Sequence, residues 1–82
     1  MDQLKKQKLE MWQKKLEGLQ KEFKEIMVRK GEAAADGDLS ENAAYKQAVE
    51  EADICLVRIS EIKKIIANLE GPASAKAPAG KG

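Results

Sequence analysis

Apolar residues recur through the first half of the chain at a helical spacing. Leu9, Trp12, Leu16, Leu19, Phe23 and Ile26 are separated by 3, 4, 3, 4 and 3 residues. A helix with that repeat carries one narrow apolar stripe, the seam of a left-handed coiled coil. The second half obeys the same rule through Tyr45, Ala48, Ala52, Cys55, Ile59, Ile62, Ile66 and Leu69. Two seams of similar length joined by a short connection bury each other with least loop entropy when the chain folds back on itself. The pattern therefore predicts an all-α fold, an antiparallel two-helix coiled-coil hairpin over residues 1–70 with its tip at about 35–42. At 1.5 Å per residue, helices of roughly 30 residues make a rod about 45 Å long.

A bend near Gly37 also predicts a register in which facing positions sum to about 75. Phe23 then faces Ala52, Leu19 faces Cys55, Leu16 faces Ile59, Trp12 faces Ile62 and Leu9 faces Ile66. Met11, Met27, Val49, Leu56 and Ile65 widen the stripe beyond a strict seam, which leaves room for self-association or for a further domain.

The bend itself carries turn chemistry. Gly37 follows Ala33-Ala34-Ala35 and can adopt the backbone that ends a helix. Asp38-Leu39-Ser40-Glu41 has capping-box spacing, which predicts Asp38 as N-cap of the second helix with Glu41 at its third position and Ser40 as a competing cap. Two carboxylates three residues apart in a first helical turn face the same side.

Composition narrows the function classes. Three aromatic residues in 82 cannot support a large globular core. With no His and the single Cys55 there is no triad, no zinc site and no redox pair, so independent catalysis is not expected. Cys55 reads as a buried thiol. No apolar run approaches the roughly 18 residues of a membrane span, and no signal-peptide core is present, so a cytoplasmic location is expected. Net charge is +1, yet residues 31–45 hold four acids, Glu32, Asp36, Asp38 and Glu41, and no base, whereas residues 2–30 hold nine bases against five acids. The negative charge is gathered at the bend. Such a block is either a solvated surface or a binding feature. After Glu70 the stretch "GPASAKAPAGKG" reads as a disordered tail over residues 71–82.

The tip stretch "GDLSENAAY", residues 37–45, resembles the acidic tip of the Gre family of bacterial transcript-cleavage factors. Gly37, Asp38, Leu39, Glu41, Asn42, Ala43 and Tyr45 match the tip pattern, and Arg58-Ile59 fits the second helix. The resemblance implies a hairpin that enters the secondary channel of RNA polymerase and provokes hydrolysis of the backtracked RNA 3′ end. Asp38 and Glu41 would be the tip carboxylates, acting in trans on an Mg²⁺ site completed by the polymerase, with Gly37, Leu39, Asn42 and Tyr45 supporting the tip. The chain would activate the polymerase without being an enzyme itself. Asn42 either bonds the bend or orients a carboxylate, and Tyr45 either packs or contacts nucleic acid or polymerase. Gre factors carry a C-terminal docking domain where this sequence has residues 71–82, so docking affinity is expected from elsewhere. Ala44 stands where Glu is frequent and Val49 where a base is frequent. Two other readings use the same seams: a helical interaction module that pairs with itself or with partner helices, and an inhibitor whose tip plugs the channel.

Overall fold

The computed structural model describes residues 2–71. The tail expected at 71–82 lies, beyond Gly71, outside the described residues. Helix α1 runs Asp2–Ala35 and helix α2 runs Ala43–Glu70, with a single 3-10 turn, Leu39–Glu41, between them. The two long helices pack against each other as an antiparallel hairpin, and there is no strand among the described residues. At 1.5 Å per residue the 34 residues of α1 span about 51 Å and the 28 of α2 about 42 Å.

The predicted seams are the contact surface. Ile26 and Ala33 of α1 are buried, as are Ala48, Ala52, Cys55, Ile59, Ile62 and Ile66 of α2. Leu9, Trp12, Leu16, Leu19 and Phe23 are half-buried, and Leu16, Leu19 and Phe23 pack on the cluster formed by Ile26, Ala48, Ala52, Cys55 and Ile59. The two helices thus contribute unequally. Large side chains of α1 lie over small or β-branched side chains of α2, and a two-helix contact has no third wall to enclose the larger ones.

Small residues let the backbones approach closely, and Cys55 records the distance. Its Sγ donates to the main-chain carbonyl of Leu19 across the interface at 3.3 Å. A side chain one atom beyond Cβ spans that gap only where the helices nearly touch, and the bond sets Leu19 against Cys55, as the register requires. Burial pushes the Cys55 thiol above its ordinary pKa; the Glu22 carboxylate adds to the rise and Arg58 offsets part of it.

Toward the tip, polar ties join the helices around this small-residue contact. Arg29 Nη2 meets Glu51 Oε1 at 2.7 Å, and Lys30 Nζ lies 5.8 Å from the centre of the Tyr45 ring. Glu51 is further held by Gln47 on its own helix. Of the apolar residues outside the seam, Met11, Met27, Val28, Ile54, Leu56 and Val57 are exposed, whereas Val49 and Ile65 are half-buried. No helix among the described residues is long and apolar enough to cross a membrane.

Candidate functional site at the hairpin tip

Helix α1 ends by tightening. The Asp36 amide donates to the Ala33 carbonyl at 3.1 Å and the Gly37 amide to the Ala34 carbonyl at 3.4 Å, both one residue shorter than helical bonds. Gly37 then takes φ +130°, a backbone that L side chains rarely adopt, and the chain turns away from the helix axis.

Asp38 does not start the second helix, contrary to the capping-box expectation. It caps the 3-10 turn Leu39–Glu41, with its Oδ1 accepting from the Ser40 amide at 3.1 Å and the Ser40 hydroxyl at 2.9 Å. Ser40 is therefore Asp38's partner and not a competing cap. The N-cap of α2 is Asn42, whose Oδ1 accepts from the Tyr45 amide at 2.9 Å. The physical reason is that Asn42 serves both helices at once. Its Nδ2 donates to the Ala33 carbonyl at 2.7 Å, while an Asp carboxylate at the same place could only accept. A cap that also ties the end of α1 prevails over one that serves α2 alone. Asn42 thus bonds the bend through both ends of its carboxamide.

Asp38 and Glu41 are both exposed at the end of the hairpin, one 3-10 turn apart. Asp38 caps the turn that Glu41 ends, so both acids stay at one end of the rod although α2 starts later than expected. Neither is in an ion pair among the described residues, where the resolved bridge is Arg29–Glu51. Near the tip, Lys30 lies over Tyr45, and Lys46 lines a shallow groove with Leu39, Ser40, Tyr45, Val49 and Glu50. Leu39 is exposed in this groove and Tyr45 is half-buried, with its amide held by Asn42. Among the described residues no group of three or more His, Cys, Asp or Glu side chains could hold a metal ion. The tip offers two hard oxygen ligands and no self-contained site.

Sequence reasoning missed the Arg29–Glu51 and Lys30–Tyr45 ties. A signal existed for Lys30 and Tyr45, which fall on the predicted register, but Arg29 and Glu51 lie more than a helical turn off it, and surface charges at such positions also occur without partners.

The comparisons with known proteins bear on what this tip serves. No curated protein and no solved structure matches the chain. The profile of the GreA/GreB N-terminal family, described as "Transcription elongation factor, N-terminal", matches residues 3–70. Because that match takes in both helices and the whole of the bend between them, the chain belongs to this family of transcription elongation factor N-terminal domains.

Proposed function

We propose that the hairpin enters the secondary channel of an RNA polymerase and stimulates cleavage of backtracked RNA, with Asp38 and Glu41 as the carboxylates that act there. The observation that carries this reading is the tip itself. Two exposed acids stand at the end of a narrow two-helix rod, with Asp38 held in place by Ser40 and neither acid paired with a base among the described residues.

The donor chemistry fits Mg²⁺, which prefers oxygen ligands and retains several waters. Two carboxylates leave most of its coordination to be met elsewhere, which suits a site shared with a partner and filled only when the tip is seated. When bound, Mg²⁺ would supply Lewis-acid stabilisation of the phosphodiester and a more acidic water. The chain's own part is to deliver negative charge on a stiff support. Asp38 accepts from Ser40 through Oδ1, which leaves its second oxygen available for a ligand. Glu41, on the last residue of the 3-10 turn, carries the other carboxylate. The protein is then an activator in trans, and the RNA 3′ end is the substrate of its partner.

A cleavage assay on stalled elongation complexes tests this. Asp38→Asn retains an acceptor for the Ser40 amide, and Glu41→Gln conserves shape, so the double variant keeps the fold while losing two charges. It should still bind the polymerase and should not stimulate cleavage, with raised Mg²⁺ restoring part of the effect. A folded double variant that stimulates fully would refute the reading. So would a wild-type protein that binds and never stimulates, a result that favours the channel-plugging inhibitor.

A second reading has its own observation. Ile54 and Val57, three residues apart on one face of α2, form an exposed apolar patch, about half of each residue being accessible. If the hairpin is an association module, this is where copies or partner helices would meet. Sedimentation velocity across a concentration series decides between a monomer and a bundle.

A further inference from the structure

We infer that Asn42 is a positioning residue for the tip carboxylates, setting where Asp38 and Glu41 stand relative to α1 through its bond to Ala33. The inference rests on the reading of Asp38 and Glu41 given above.

Residues 38–42 form one locally bonded unit. Asp38 is tied to the amide and hydroxyl of Ser40, and the Asn42 amide donates to the Leu39 carbonyl at 3.3 Å, closing the 3-10 turn. The backbone is non-helical at both ends of this unit. At its start stands Gly37, with no side chain to restrict it and nothing within 4 Å of where a Cβ would lie. At its end the chain enters α2 with Asn42 in an extended conformation, φ −92° and ψ 100°.

Among the described residues, the Asn42 side chain makes the one hydrogen bond between this unit and α1, at 2.7 Å to the Ala33 carbonyl. That carbonyl already accepts from the Asp36 amide, so both of its lone pairs are used where α1 finishes. The same carboxamide holds the Tyr45 amide through its oxygen. One planar group therefore fixes the unit to both helices, and Glu41 is its immediate chain neighbour. Asn42 is itself half-buried, so its bonds compete less with water than those of the exposed acids beside it.

The amide's two functions can be separated by substitution. Asn42→Asp and Asn42→Ser keep an oxygen that can cap α2 but remove the donor that reaches Ala33. The serine variant controls for the negative charge that aspartate adds. Positioning errors near 1 Å can cost a reaction about 100-fold. Both variants should therefore reduce stimulated cleavage by about 10- to 100-fold at limiting Mg²⁺ and raise the Mg²⁺ concentration for half-maximal stimulation. Competition for the polymerase and amide exchange in the middle of α2 should stay at wild-type values.

Wild-type rates and an unshifted Mg²⁺ profile in both variants would overturn the inference. Unfolding or loss of polymerase binding in both would overturn it too, by showing that Asn42 serves only as a structural cap. The parallel Asp38→Asn/Glu41→Gln variant keeps the two readings apart. If that variant is inactive while the Asn42 variants are unaffected, only the positioning role falls. If wild type stimulates nothing, the carboxylate reading falls and takes this one with it.

Discussion

Ile26 is the most buried large side chain in the hairpin, 2% exposed, and Ile54 is the same residue type at 54%. Truncating each to alanine tests whether the seam alone holds the two helices together. Ile→Ala removes three carbons, a transfer loss of about 2.4 kcal/mol at about 0.8 kcal/mol per buried CH₂. The neighbours of Ile26 in the core are largely Ala48, Ala52 and Cys55, too short to fill the space, so a cavity cost of about 1 kcal/mol is added. Alanine's better helix propensity returns a few tenths. The expected loss is about 3 kcal/mol for Ile26→Ala. Ile54→Ala, which deletes surface that water already reaches, should change stability by less than about 0.5 kcal/mol. A domain of this size has about 4 to 12 kcal/mol of stability in all, so the Ile26 variant loses a substantial share and melts on the order of 10 to 25 °C lower. Urea titration followed by circular dichroism at 222 nm, with equal slopes required of both variants, measures the difference. Equal losses at the two positions would refute the argument, because they would mean that the outer face of α2 is as buried as the seam.

The Cys55 thiol gives a pH prediction. Because its pKa is raised in the fold, the native state holds the proton longer than the unfolded chain does, so stability should decline as pH rises above the ordinary thiol pKa of about 8.5. The decline should be absent in Cys55→Ala, and melting at several alkaline pH values in both proteins checks it. The Arg29–Glu51 bridge is short, but its side chains are 54% and 35% exposed, so a double-mutant cycle should give no more than about 1 kcal/mol and less at high salt. A coupling that persists at 1 M salt would show that the pair is better shielded than its exposure indicates. Gly37→Ala should destabilise the bend by about 1 kcal/mol or more through its positive φ alone, since no neighbour crowds the position; unchanged melting would mean that the bend relaxes to another backbone.

The hairpin was legible in the residues because the information lay in a period. Leu9 to Ile26 and Tyr45 to Leu69 repeat every three and four positions, and a stripe at that spacing has few ways to leave water other than against a second stripe. The register followed from the same source, since a short connection leaves little freedom to slide, and the Cys55–Leu19 contact lies where the bend position sets it. The acidic tip was visible as composition, and its residue pattern indicated the family. The start of α2 was not legible. Asp38, Ser40 and Asn42 are all good N-caps, and local preference ranks them nearly alike. What separates them is a partner nine residues earlier in the chain: only from position 42 does a side-chain amide donate to Ala33 while its oxygen holds Tyr45. Bonds between residues distant in sequence are selected by how the helices pack, and here the packing moved the helix start by four residues and left the two carboxylates on a turn of their own.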